Sequence, residues 1–583
     1  MKKIKLSIKT ILPAMAVAMM MASCDVETTT VMFDEDHNFT QASDTVFSVL
    51  GIMNQVQQVA ERTVLLGEAR ADLVQVNPNY SSGNTVLMLR DLQNNDKEHM
   101  TDTTYNRYRD FYSVINNCNY YLAKADPNFI RGNKPVFGKE RAVVSAYRAW
   151  AYLQLAEIYG KVPFYTQPLL SYSDIENVAK DESNRKGMED ICSYFIEDLK
   201  QYVDVEYPNY GDFTYGANAT YNSQKFFLPV RLLLGDLYLW RGSCTGSQQD
   251  YLMAADCYGE YLKLNKKYIT QTSSSYYKDA EMDSKVSGWN WGTSGSEQIS
   301  FVPYAESSNY GNVSSLRQTF AYMLGSESLK EMVDTATYTY TGKVASDENN
   351  TRMELSLDTR YFGTEDKPAM LWKAVVDEDA NISIAKGDLR LYQLTNVANA
   401  DLNVNKWNSA LLPTYRTTGV YLRFAEAINR AGFPNTAFII LKYGLSRGNL
   451  VAFDANGELD KLMQSGYDFW DMGNNTENVG IHSRGCGNVE SNSHYVLDHS
   501  LSQDGQINQV EDYITDELAL ERSYEGCRFF DLMRFAMRRG ESYLASHVAR
   551  RNHPEMSESQ IEATVLYQTL MNKDNWYLNM VEN

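Results

Sequence analysis

Apolar and aromatic side chains return every three or four residues in stretch after stretch of this chain. That spacing restricts it to packed helices. In residues 42–68 one stripe carries Val46, Val49, Leu50, Met53, Val56, Val59 and Ala60. Residues 105–125 repeat the pattern with Tyr108, Phe111, Tyr112, Ile115, Cys118, Asn119 and Leu122. Residues 140–159 repeat it with Val144, Tyr147, Arg148, Tyr152, Leu155 and Ile158. The segments 187–203, 225–240 and 251–264 keep the same period. Each set falls on one face of a 3.6-residue helix, so each helix needs a neighbour to cover it.

The helices have the length of antiparallel hairpin partners. Trp240-Arg241-Gly242 ends one of them, and Tyr251, Ala254, Ala255 and Tyr258 open the next. This small-and-aromatic spacing is similar to helix-pair repeats of the tetratricopeptide kind, without a strict period of ~34 residues. From about residue 270 to 410 the pattern changes. Ser, Thr, Tyr, Gly and Asn dominate there, with short β-like runs such as Gln298-Ile299-Ser300-Phe301-Val302. Helical periods resume at 421–431 and 437–445, and return at 510–526 and 528–539 after a loop-rich stretch over 453–508. The expected fold is mainly α, a helix-pair scaffold with long irregular loop insertions and a few short strands. The loops interrupt one scaffold, and two tandem domains fit less well. The divisions are 1–23, 24–40, 41–269, 270–410 and 411–583.

The first division is a leader. Lys2, Lys3, Lys5 and Lys9 precede a short apolar run, and Ala22-Ser23-Cys24 closes it. That is a secretory signal ending in a lipoprotein cleavage site, with Met21 where Leu is more usual. The apolar run is too short to span a bilayer core of ~30 Å. Cys24 becomes the mature N-terminus and carries the acyl chains, which tether the protein without spanning the membrane. The other reading is an ordinary secretion signal with an incidental cysteine. Residues 25–40 are polar and aperiodic, as a tether leaving the membrane would be. Loss of the four leader lysines takes the net charge from −20 to about −24. Such a surface repels nucleic acid, and no basic stripe offsets it. It also argues against a strongly anionic partner.

Six cysteines follow Cys24, with no CxxC pair and no metal-ligand spacing to the seven histidines. A Cys244–Cys257 bridge is one arrangement the spacing allows. Asp377-Glu378-Asp379-Ala380-Asn381-Ile382-Ser383 is similar to a calcium loop, but it lacks Gly at position six and has Asp388 at position twelve. It reads as a polar turn. No metalloprotease, nucleophile-elbow, P-loop or dinucleotide motif is present. Neither catalysis nor a cofactor is expected. His482 with Arg484 could form a site, although Gly480, Gly485 and Gly487 favour a loop-shaping role.

Several motifs occur in one order. Glu140-Arg141-Ala142 leads to Tyr147-Arg148-Ala149-Trp150-Ala151-Tyr152 and then Tyr159-Gly160-Lys161-Val162-Pro163. Asp358-Thr359-Arg360, Tyr421-Leu422-Arg423-Phe424-Ala425-Glu426 and Gly480-Ile481-His482-Ser483-Arg484-Gly485 follow. Glu521-Arg522, Glu525-Gly526-Cys527-Arg528 and Asp531-Leu532-Met533-Arg534 close the series. Together with the Cys24 leader, these resemble the SusD/RagB family of outer-membrane lipoproteins, from Cys24 to Trp576. The resemblance implies a scaffold of four tetratricopeptide-like units. It implies lipid anchoring at the outer membrane of a Bacteroidetes-type bacterium, facing the exterior. It also implies a partner, a SusC-like TonB-dependent transporter, and capture of nutrients that are usually glycans. Peptide or glycopeptide ligands of the RagB type are the alternative, and a surface glycoside hydrolase is a rival class.

Within such a helix scaffold, Arg148 and Arg528 sit on otherwise apolar helices. Their guanidinium groups are expected to meet buried carboxylates or carbonyls, with Glu157, Glu426, Glu521 and Asp531 as candidates. Gly160 and Pro163 stop their helix. For ligand, sugar C–H faces pack on aromatic rings while Asn, Gln, Asp and Arg satisfy the hydroxyls. The densest aromatic set is Tyr276, Tyr277, Trp289, Trp291, Tyr304 and Tyr310, with Asn290, Gln298, Asn309 and Asn312 as polar companions. Trp289-Asn290-Trp291 lies in a Gly/Ser loop where an exposed Trp is costly without a purpose. The other reading has both Trp capping a loop core. A second candidate is Asn77-Pro78-Asn79-Tyr80 with Asn84.

Overall fold

A computed structural model describes residues 39, 42–97, 99–100, 105–215, 219–269, 297–305, 312–335, 338–343, 350–355, 411–473, 478–482 and 495–580. The leader and Cys24 lie outside this set. So do Asp358-Thr359-Arg360, the calcium-like segment at 377–383 and Arg484.

The main helices are α1 (Ala42–Ala69), α2 (Asn84–Asn94), α3 (Tyr108–Lys124), α4 (Gly138–Tyr159), α5 (Tyr172–Lys180), α6 (Met188–Leu199), α7 (Val230–Thr245) and α8 (Gln248–Leu264). After the insertion come α9 (Thr417–Arg430), α10 (Pro434–Lys442), α11 (Gln503–Arg522), α12 (Arg528–Arg539) and α13 (Glu541–Arg550). The fold is mainly α, as the periodicity predicts. Five helices, α4, α8, α9, α10 and α11, start earlier than the apolar period suggests. For α11, Ser502 accepts from the Gly505 N–H and so sets the start.

α4 is the axis of the N-terminal half. Every residue from Ala142 to Leu153 is buried, and α1, α3, α6 and α7 pack around it. Its alanines let neighbours close in on all sides. It ends at Tyr159, where Gly160 takes a φ of 74°. The α7–α8 pair explains the small-and-aromatic spacing. A Cβ on Gly235 would stand 2.6 Å from the Tyr258 ring, and one on Gly242 would stand 2.8 Å from Tyr251. Each tyrosine therefore uses a glycine as its seat.

Helices on the two sides of the insertion share one core. α8 packs on α9, and α1 packs on α12. Strand β2 (Gln298–Pro303) runs antiparallel to β4 (Leu411–Arg416), pairing Val302 with Leu412. The strand that ends at 303 and the strand that begins at 411 thus lie side by side. Phe39, at the end of the tether segment, packs on Tyr121 at 5.4 Å.

Buried ion pairs tie the helices together, with partners that differ from those expected. Arg148 meets Asp198 on α6 at 2.9 Å and Asn119 on α3 at 3.0 Å. Glu157 stands nine residues further along the same helix, about 13 Å away along its axis. It accepts instead from Trp240 and Gln154, each at 2.8 Å. Arg528 grips Asp72, which follows α1, through two bonds of 2.7 Å. Glu426 and Asp531 pair with Arg534, and Glu521 pairs with Arg416. The Cys244–Cys257 bridge does not form, and both thiols are free. Cys244 ends α7, whereas Cys257 lies nine residues into α8, about 13 Å from that end.

Candidate functional site

Among the residues expected to meet ligand, Tyr80 is one that the structure describes and leaves open. It is built from a two-stranded sheet. β1 (Val74–Val76) pairs antiparallel with β3 (Met323–Gly325), matching Val76 to Met323. The next residue, Asn77, continues the ladder by donating its N–H to the Tyr322 carbonyl at 2.9 Å. The chain then turns over Asn77-Pro78-Asn79-Tyr80. Proline fixes φ at the second position. The buried Asn77 side chain accepts from the Asn79 N–H at 2.9 Å, and the Tyr80 N–H donates to the Asn77 carbonyl at 3.0 Å. Arg90 on α2 holds the far side by donating to the Tyr80 and Ser81 carbonyls at 2.8 and 3.4 Å.

The result is a fixed turn that presents an aromatic ring. Tyr80 is 41% exposed, and its ring meets Tyr322 edge-on at 4.9 Å. Edge-to-face contact leaves a face of one ring free to stack. Asn79, Ser81, Ser82 and Asn84 are exposed around it. An apolar face rimmed by amides and hydroxyls suits the C–H and O–H pattern of a sugar. Tyr322 and Arg90 were not apparent in the sequence. Tyr322 joins the site only through the β1–β3 pairing, and Arg90 is one of several polar residues on α2.

The other expected residues fare differently. Tyr276, Tyr277, Trp289, Asn290, Trp291, Asn309 and Tyr310 lie outside the described residues. Tyr304 is described and is 3% exposed, with its hydroxyl donating to the Gln57 carbonyl on α1. It directly follows β2, every residue of which is buried, so its ring continues the core. Gln298 is buried in that strand, and Asn312 bonds Asn54 and Gln57 at 3.1 and 3.2 Å. His482 is buried, stacks on Tyr495 at 4.0 Å and pairs with Glu517 at 2.5 Å, which fits a packing role. Among the described residues, no group of three or more His, Cys, Asp or Glu could hold a metal ion. No described helix is long and apolar enough to cross a membrane.

The structure is a helix-pair scaffold that carries an exposed aromatic turn. The chain belongs to the SusD family, whose model matches residues 200–580. No curated protein matches it. Solved structures do. A SusD homolog from Bacteroides thetaiotaomicron VPI-5482 aligns with a TM-score of 0.51 and 15% identity over 93% of this chain and 95% of its own. A SusD superfamily protein from the same organism aligns with a TM-score of 0.50 and 15% identity over 88% and 93%. At that identity the likeness speaks for the fold.

Proposed function

We propose that this chain is a cell-surface nutrient-binding lipoprotein that captures glycans and hands them to a TonB-dependent outer-membrane transporter. SusD-family membership supports the class. The observation that carries the ligand reading is the open Tyr80 ring, held by Tyr322 and Arg90 on a turn with amide and hydroxyl neighbours. Such a site binds by stacking and hydrogen bonding and offers no nucleophile beside a base. SusD-family membership supports reading the protein as a binder and not an enzyme. In this reading Trp289, Trp291, Tyr276, Tyr277 and Tyr310 are further stacking residues, with Asn290 as a hydrogen-bonding centre between the two Trp. Cys24 carries the lipid anchor, and a SusC-like transporter is the partner.

The test is calorimetry of the mature protein against a panel of polysaccharides and peptides, followed by chromatography of each mixture. Binding of a glycan without chain shortening is the expected result. Binding of peptides alone would replace the ligand class, and any shortening would make the protein an enzyme.

A further inference from the structure

Phe453 and Tyr443 stack face to face just after α10. Their ring centres are 3.8 Å apart and their planes lie within 6° of parallel. Among the described pairs of Phe and Tyr this is the closest; the next, Tyr495 with Tyr513, is 4.3 Å apart and tilted by 38°. Nearly eclipsed rings are less favoured than offset or edge-on ones, so the surroundings must hold this pair. Asn449, on the short helix Arg447–Phe453, donates to the Tyr443 and Gly444 carbonyls at 2.9 and 2.8 Å. Ser446 caps that helix by accepting from the Asn449 N–H at 3.1 Å. Asn435 donates to the Phe453 carbonyl at 3.1 Å. The backbone under each ring is thus pinned by an amide side chain.

The stack is open on one side. Tyr443 covers one face of Phe453, and the residue is 41% exposed, so its other face is free. Two polar groups stand at the rim. One is the Tyr443 hydroxyl, on the ring stacked beneath. The other is the Asn449 Oδ1, one helical turn before Phe453 on the same face. Neither meets a partner among the described residues. The nearby cations are engaged, Arg447 with Asp471 at 2.6 Å and Lys442 with the Tyr495 carbonyl at 2.6 Å. With a chain that carries −20, such a rim favours a neutral ligand. A flat apolar face edged by a hydroxyl and an amide oxygen matches a sugar ring lying on its C–H groups. The Tyr80 turn is made on the same plan from other elements, an open ring backed by a tyrosine on pinned backbone.

We propose that the outer face of Phe453, backed by Tyr443, is a second carbohydrate contact, which takes one neutral sugar residue by stacking. This rests on the glycan reading above. Phe453 supplies the face and has no polar tip, so the Tyr443 hydroxyl and the Asn449 Oδ1 meet the sugar hydroxyls.

The experiment compares the mature protein with its Phe453→Leu and Phe453→Trp variants, each also combined with Tyr80→Ala. Leu keeps an apolar side chain against Tyr443 and has no flat face, so Phe453→Leu should melt with the parent. Calorimetry and saturation-transfer NMR use three neutral probes: cellohexaose, xylohexaose and maltohexaose. The expected result is that at least one probe bound by the parent binds about tenfold more weakly to Phe453→Leu, as loss of a stacking hot spot predicts. Phe453→Trp should bind that probe like the parent. The binding that remains in Tyr80→Ala should fall again when Phe453→Leu is added. Unchanged affinity of Phe453→Leu for every bound probe would overturn this contact and leave glycan capture standing. So would a loss that Phe453→Trp does not restore, Tyr80→Ala protein that binds no probe, or a parent that binds none of the three and only other glycans. Binding of peptides and of no glycan would overturn both readings.

Discussion

Arg534 closes on Glu426 with two parallel hydrogen bonds, Nε to Oε1 at 2.7 Å and Nη2 to Oε2 at 2.6 Å, across 108 residues of sequence. Neither side chain has any exposed surface. The same carboxylate also meets Arg430 at 3.0 Å, and Arg430 reaches on to Glu511 at 2.7 Å. One glutamate on α9 therefore pairs with two buried cations, which Asp531 and Glu511 also meet, and joins α9 to α12. Glu426→Gln should cost about 3–5 kcal/mol, because it leaves buried charge unmatched. Asp198→Asn, which breaks the Arg148 pair, should cost less, since Asp198 is 20% exposed and water can take its place. Urea unfolding of both variants checks the order. Equal losses would mean that burial does not set the strength of these pairs.

Two glycines of α1 make a paired test of backbone contact. Gly67 lies against the turn between α11 and α12, and a Cβ there would stand 1.7 Å from the Gly526 carbonyl oxygen. The turn has little freedom to yield. Glu68 accepts from the Tyr524 and Gly526 N–H groups at 2.8 and 2.9 Å, and these two residues hold φ values of 68° and 81°. Gly67→Ala should cost about 4 kcal/mol or more, or yield no soluble protein. Gly51→Ala, on the exposed side of the same helix with nothing within 4 Å, should stabilise by about 0.5–1 kcal/mol. Melting curves of the two variants should move in opposite directions.

Glu157 makes stability depend on pH. Burial pushes its carboxyl from 4.5 up to about 7, opposed by Arg423 and Arg534 and aided by Asp236. Below pH 4.5 the folded and unfolded chains both hold the proton. Between 4.5 and 7 only the unfolded chain releases it, so this group's contribution to stability falls as pH rises through that window. Above 7 the contribution is flat. The fall amounts to at most about 3 kcal/mol. Gln at this position keeps an acceptor for Trp240 and does not titrate. Glu157→Gln should therefore gain about 1–3 kcal/mol on the parent between pH 5 and 7.5 in urea titrations. A constant difference would mean that Glu157 is already ionised at pH 5.

The helices were legible because their stripes are long and their periods regular; α4 shows this, with its arginine and its glycine stop in place. Pairings between helices were not legible. Arg148 finds Asp198 and Arg528 finds Asp72 because α6 and the end of α1 arrive beside them, and sequence spacing holds no record of that. Aromatic composition misled at Tyr304, since a tyrosine after a fully buried strand looks no different from one in an open loop. At Tyr80 the ring stays open to solvent, where Asn77-Pro78-Asn79 is turn chemistry that brings it outward. Tyr322, its companion, became visible only through a strand pairing some 250 residues apart, Gln75 to Leu324.

The Tyr80 turn makes the ligand prediction specific. Tyr80→Ala removes the exposed ring but leaves the backbone bonds of Asn77, Asn79 and Arg90 in place, so the fold should be unaffected. If the ring stacks on a sugar, its loss costs about 2 kcal/mol, hence at least about a tenfold weaker Kd for the captured glycan. Tyr80→Phe keeps the face and loses the hydroxyl, and it should bind nearly as well as the parent. Replacing Trp289 and Trp291 together by Ala reports on the insertion in the same assay. Circular dichroism should stay the same in all three, and calorimetry supplies the affinities. Loss in Tyr80→Ala but not in Tyr80→Phe identifies stacking. Equal loss in both places the hydroxyl in the contact. Undiminished binding by both Tyr80 variants, with loss in the double Trp variant, would move the site from the β1–β3 turn to the insertion.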